Sequence, residues 1–256
     1  MDIVSIVNSP EVVAARTAAV REALLRESPN VTGPNFARIA GSDLERLFGL
    51  YDLHFFDGWL ARTAEVKAGG AVTFRLSSTM TRAGGKTITT RRMGPKGEWL
   101  FRHEIAIASR LLFMTFRDVE RPVVVCGLQC ADRLDALQRI MEHEIIHLIE
   151  MMIWEESSCS AFAFKRLAAN IFGHRDTMHA LVTPREKAFV RHGVAVGGMV
   201  EFNLQGRRLV GKVNRIHQRA TVLVEDSQGT PYTDGRRYLK FYVPLERLSA
   251  MTGQEG

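Results

Sequence analysis

The sequence predicts an α+β protein in two parts, a mixed helix and strand domain followed by a small β-barrel. Three observations predict it. Helical spacing of apolar residues over 10–27 and 42–56 gives way to alternating, β-rich segments at 71–77, 86–91 and 103–109. Helical spacing then returns over about 132–154 and contains Glu142-His143-Glu144-Ile145-Ile146-His147-Leu148. After about residue 195 five short β-rich segments follow, separated by Gly197-Gly198, Gln205-Gly206, Asp226-Ser227-Gln228-Gly229 and Asp234-Gly235.

Pro10 suits the first turn of a helix that runs to Glu27. The stretch from Ser28-Pro29-Asn30 to Gly33-Pro34-Asn35 is a loop. Ser42 followed by Glu45 is a capping-box pattern for the second helix, which Phe56-Asp57-Gly58 ends. Residues 122–128 read as one short apolar strand. Asp132 caps the long helix, and Leu134, Leu137, Ile140, Met141, Ile145 and Leu148 give it apolar positions. A helix over 161–172 stops at Gly173. Another starts at Thr183-Pro184-Arg185-Glu186, where Thr183 caps, and closes at Gly193. The last strands are expected at 199–204, 207–215, 219–225, 230–233 and 237–243. The division that follows is an N-terminal helical extension over 1–39, a main domain over 40–190 and a barrel over 195–250.

Composition excludes several classes. No apolar run approaches ~18 residues, so no membrane span is expected. Met1-Asp2-Ile3-Val4 lacks the basic and apolar stretches of a secretory signal. Three cysteines are too few and of the wrong parity for a disulfide framework, which points to a reducing, cytoplasmic compartment. The net charge of +6 permits an acidic partner without requiring one. Its excess is concentrated: residues 190–256 hold ten Arg and Lys against six Asp and Glu.

His143-Glu144-x-x-His147 is the informative run. Histidines four apart project from one helix face, where both imidazoles reach one zinc ion. Glu144 between them is placed to take a proton from the water that zinc activates. Metal-assisted hydrolysis, most often of peptide bonds, is the chemistry this spacing serves. His103-Glu104 resembles half of such a motif, but Ile107 stands where the second His belongs, so that segment reads as strand. Cys126 and Cys130 lack a partnering Cys or His pair and read as core.

The order of elements resembles the SprT-like metalloprotease family, which includes the Spartan proteases. Leu47-Phe48-Gly49-Leu50-Tyr51 and Phe55-Phe56-Asp57-Gly58-Trp59-Leu60 match its early helix. Ser77-Ser78-Thr79 through Ala83-Gly84-Gly85-Lys86-Thr87 matches its strand-rich element, and the zinc helix follows. The resemblance covers about residues 40–182. It implies a zincin-type peptidase fold, a zinc cofactor, His143 and His147 as ligands, Glu144 as general base, and a protein or peptide substrate, often protein attached to DNA. The family's third ligand is a His in an H-G-x-x-F pattern, and the chain has Ser160-Ala161 there. Catalytic zinc usually holds three protein ligands. Cys159 is one residue away, and thiolate is an excellent ligand. His174 lies at the far end of the following helix, about 20 Å from position 160 at 1.5 Å per residue. His179 is a weaker candidate of the same kind. Glu150 shares the face of the two histidines but sits about 10 Å along the axis from His143, which suits support or solvation better than ligation.

The C-terminal part reads as an SH3-like barrel. Arg207-Arg208-Leu209-Val210-Gly211-Lys212-Val213-Asn214-Arg215 alternates apolar and basic positions, so one face is core and the other cationic. Arg236-Arg237-Tyr238-Leu239-Lys240-Phe241-Tyr242 interleaves basic and aromatic side chains, which suits DNA, though a solvated strand face over a small aromatic core has the same pattern. Two functions remain open on this reading: a zinc metallopeptidase acting on nucleic-acid-associated proteins, or a non-catalytic binding protein with an incomplete metal site.

Overall fold

The computed structural model describes residues 2–68, 72–95 and 97–251. It is mixed α+β and divides into two compact units, Met1–Leu181 and Val182–Gly256. Among the described residues no helix is long and apolar enough to cross a membrane.

The first unit begins with α1 (Pro10–Glu27), capped by Ser9, whose side chain accepts from the Val12 N–H. Helix α2 (Gly41–Phe56) follows. Its start is fixed differently from the expected Ser42 cap. Ala40 is the cap position, and Asp43 accepts from the Ala40 N–H at 2.7 Å while also receiving Ser28 and Asn30 side chains. A buried carboxylate that collects three donors outcompetes an exposed serine. Helix α2 ends at Asp57, which is left-handed like Gly58. The chain then enters α3 (Trp59–Ala68), an element the sequence did not announce. Asp52 reaches forward from α2 to accept from the Leu60 and Ala61 N–H groups, at 2.8 and 3.0 Å, and so satisfies the free donors of the new helix start.

Strands β1 (Thr73–Leu76), β2 (Gly85–Met93) and β3 (Trp99–Ile107) form a sheet in the order β1-β3-β2, with β1 parallel and β2 antiparallel to β3. The expected strand over 71–77 is shorter, and its first residue lies outside the described residues. A short α4 (Ser109–Thr115) comes next. The expected single strand over 122–128 is instead half of a hairpin, β4 (Val123–Val125) and β5 (Leu128–Cys130). Its two central residues, Cys126 and Gly127, both have positive φ (53° and 73°), as a tight two-residue hairpin turn requires. Helix α5 (Arg133–Trp154) carries the H-E-x-x-H run and is capped by Asp132, which accepts from the Asp135 N–H at 3.0 Å. Helix α6 (Phe162–Phe172) stops at Gly173, which is left-handed.

The core of this unit is one cluster. Tyr51, Phe55 and Phe56 of α2 pack around Phe172 at the end of α6. The apolar side of α5 (Leu137, Ile140, Met141, Ile145, Ile149) is buried among them. Ile3, Val20 and Leu24 belong to the same cluster, so residues 1–39 are not a separate extension. The Asn8 side chain donates to the Ile171 carbonyl at 2.9 Å, and Arg21 pairs with Asp132. Leu24→Ala should therefore destabilise the unit by about 2–5 kcal/mol, as loss of a fully buried leucine does. Urea unfolding checks this; a change below about 1 kcal/mol would mean that α1 is a detachable arm after all.

The second unit starts with α7 (Pro184–His192), whose Thr183 cap accepts from the Glu186 N–H. The division falls between Leu181 and Val182 rather than near 190–196, because Ala188 of α7 packs in the core of the second unit with Val200, Val213 and Val222. Strands β6 (Met199–Leu204), β7 (Arg207–Ile216), β8 (Ala220–Pro231), β9 (Arg237–Val243) and β10 (Ser249–Ala250) form one antiparallel sheet in the order β10-β6-β7-β8-β9. The two strands expected at 219–225 and 230–233 are one strand, β8, with a register shift between Glu225 and Thr230. Among the described residues β9 and β10 do not pair, so the order is open and hydrogen bonding does not close a barrel.

Candidate metal centre

Helix α5 delivers His143 and His147 one turn apart. Their Nε2 atoms lie 3.2 Å from each other. Tetrahedral zinc with Zn–N bonds of 2.0–2.1 Å holds two nitrogens about 3.3 Å apart, so the pair already has the spacing of two ligands. Phe164 of α6 packs on both rings, with centroids 4.8 and 4.5 Å away, and fixes their planes. Burial holds both imidazoles neutral, pushing His143 down to about 2 and His147 down to about 4. Neutral imidazole is the form that donates a lone pair to a metal.

The opposite ring nitrogens have partners. His147 Nδ1 lies 2.6 Å from the Ser157 hydroxyl, which in turn donates to Glu150 at 2.5 Å. Glu150 thus supports His147 through Ser157 and does not reach the ligand face itself. His143 Nδ1 lies 3.7 Å from Cys126 Sγ. Burial raises the Cys126 thiol far above its ordinary range, so the sulfur is protonated and faces the Arg139 carbonyl. With both Nδ1 positions engaged, each Nε2 is left to ligate. Removing the Ser157 hydroxyl breaks this support, and Ser157→Ala should weaken zinc binding about 10–100-fold with no change in circular dichroism. Competition with a chelating dye measures it; unaltered affinity would mean that the hydroxyl plays no part in holding His147.

Glu144 is 2% exposed, and burial raises its carboxyl to about 7, against hydrogen bonds from Thr87 that lower it. The Thr87 hydroxyl lies 2.8 Å from Glu144 Oε2 and 2.9 Å from its backbone oxygen. The neighbouring Gly85 makes the space: a Cβ there would come within 2.5 Å of the Glu144 carboxyl. Strand β2 therefore positions the carboxylate of α5. A cavity of about 510 Å³ exposes His143, Glu144 and His147 together, walled by Lys86, Thr89, Met151, Cys159 and His179.

The candidates for a third ligand separate. Cys159 has its sulfur within 4.8 Å of ligand nitrogens of both His143 and His147. His174 is directed elsewhere: its Nε2 lies 2.9 Å from Glu142 in a buried network with Tyr51 and Arg139, and it does not line the cavity. Ser160 shares a 2.9 Å hydrogen bond with Ser158. His179 stands beside His143, with ring centroids 4.5 Å apart, and its buried Nε2 has no partner. It groups with Cys126 and His143. Its place comes from an isolated bridge to Val125, a long-range pairing with no local sequence signal, and the support from Cys126 and Ser157 was equally invisible. His103 stays in the sheet, where Thr89 meets its ring nitrogen at 2.9 Å. Cys130 is buried in the core as expected.

No protein-family model, curated protein or solved structure matches the chain.

In the second unit, the expected alternation holds on β7 from Val210 to Asn214, with Gly211 and Val213 buried and Val210, Lys212 and Asn214 exposed, and breaks at a register shift between Val213 and Arg215. Two of the basic side chains are neutralised locally. Arg208 pairs with Glu201, and Arg236 with Glu225.

Proposed function

We propose that the chain is a zinc-dependent metallopeptidase of the SprT-like kind. The observation that carries this reading is the pairing of two neutral histidines at ligand spacing with a buried carboxylate in one cavity. The residues fit zinc, and His143 and His147 would hold it. When bound, the ion would supply Lewis acidity and acidify a water molecule. Glu144, held by Thr87, is the residue that would accept a proton in the site and hand it to the leaving amine. A carboxyl raised to about 7 suits both halves of that transfer near neutral pH. The substrate class follows from β2. It pairs with β3 alone among the described residues, and Gly85, Lys86, Thr87 and Thr89 near its start line the cavity. Such a free edge accepts an extended peptide by main-chain hydrogen bonding.

The second unit we read as an SH3-like module that localises the enzyme on nucleic acid. Lys212, Arg215 and Arg219 are exposed along β7 and the turn after it, with Tyr242 exposed on β9. The alternative, a binding protein without catalysis, rested on Ser160 in place of the third His. It gives no role to Glu144, buried beside His143 and His147 in the same cavity.

Hydrolysis of an unfolded protein such as casein tests the reading. Activity should vanish on treatment with a zinc chelator and return when zinc is restored. Activity that persists through complete removal of metal would overturn it.

A further inference from the structure

We propose that Cys159 is the third protein ligand, making the centre a His143, His147, Cys159 set. This rests on the reading of the site as a metal centre. Among the described residues, Cys159 is the one further Cys, His or acidic side chain that groups within 4.8 Å of both histidines of the motif. It is half-buried and faces the cavity that exposes His143, Glu144 and His147.

Its position is built by the fold. The chain reverses after α5, and the Ala161 N–H closes a turn on the Ser158 carbonyl at 2.9 Å. Cys159 lies inside that turn, just ahead of α6. The same helix places Phe164 on both imidazoles, so the element that covers the ligands also delivers the thiol. Two of the competing residues are spent. His174 is bound to Glu142, and Ser160 to Ser158. His179 groups with Cys126 around His143 and leaves His147 out. A centre there would use half of the motif.

The chemistry is a simple exchange. The S–H bond of Cys159 breaks, a sulfur–metal bond forms and the proton passes to solvent, so metal uptake is coupled to proton release. A thiolate also favours zinc over harder divalent cations such as magnesium.

Cobalt(II) substitution tests the assignment without relying on activity. The full chain, stripped and loaded with one cobalt, should show a thiolate-to-cobalt charge-transfer band in the near ultraviolet. The band should persist in Cys126→Ser and vanish in Cys159→Ser. Cobalt affinity in Cys159→Ser should fall by more than the ~10–100-fold that follows loss of an outer partner. Cys159→His should restore tight binding without the band. Cobalt that binds the wild type and is lost in His147→Ala, but gives no charge-transfer band, would overturn the assignment of Cys159 and leave the metal centre standing. A band lost in Cys126→Ser and kept in Cys159→Ser would move the site to Cys126, His143 and His179. A wild-type chain that binds no cobalt would overturn both the assignment and the metallopeptidase reading.

Discussion

Replacing Glu144 with Gln should lower kcat for peptide hydrolysis about 10²–10⁴-fold, the usual contribution of a positioned general base, while zinc content stays at the wild-type level. The side chain keeps its length, so its Oε1 can still accept from the Thr87 hydroxyl that now meets Glu144 Oε2 at 2.8 Å. What is lost is the ability to take a proton. The neighbouring ligands are untouched, because His143 and His147 draw their orientation from Cys126, Ser157 and Phe164. Side-by-side kinetics and metal analysis check this. A variant that retained wild-type kcat would place the base elsewhere.

Glu142→Ala should destabilise the first unit by about 3–5 kcal/mol, the cost of breaking a buried ion pair from one side. Glu142 is fully buried and accepts from Tyr51 at 2.7 Å, from Arg139 at 3.1 Å and from His174 at 2.9 Å. Burial alone would raise its carboxyl, but Arg139 and His174 outweigh that and hold it below its ordinary value. Without the carboxylate, Arg139 keeps Asp135 at 3.4 Å and Tyr51 keeps the Gln138 amide, while the His174 ring loses its Glu142 partner. Glu142→Gln fills the space and keeps one of the two acceptor oxygens, though its NH2 cannot accept as the other oxygen does, so it should cost less than the alanine variant. Denaturant unfolding of the two variants measures the difference. An alanine variant within about 1 kcal/mol of wild type would show that the network does not hold α5 in place.

The contrast between these two glutamates, neighbours but one on α5, shows what the sequence discloses and what it conceals. The place of Glu144 beside His143 and His147 was legible because the three lie within one turn of a helix. Glu142 was not, because its partners come from α2, from the residue after Gly173 and from one turn back on its own helix. Local chemistry was readable in the same way. The Asp132 cap, the Gly173 stop and the Thr183 cap each act within a few residues, and the helix bounds over 132–154 and 161–172 followed closely. Helix α3 escaped because its start is capped by Asp52, eight residues before Leu60 in a helix already ended by Asp57-Gly58. Helix α4 is too short for its period to register. The hairpin at β4 and β5 was hidden because Cys126 takes a left-handed turn conformation that favours Asn or Gly. Long-range pairing also decided the second unit, where one bulged strand replaced two and the sheet order stayed open. At the site, the sequence offered Cys159 and His174 together; only packing could separate a thiol at the cavity from an imidazole bound to Glu142.

The most direct test of the central claim is the zinc content of the purified chain, measured beside His147→Ala. The wild type should hold close to one zinc per chain, and the variant should lose it. A wild-type chain that holds no zinc after incubation with excess metal, or a variant that keeps it fully, would contradict the claim that His143 and His147 form a metal centre.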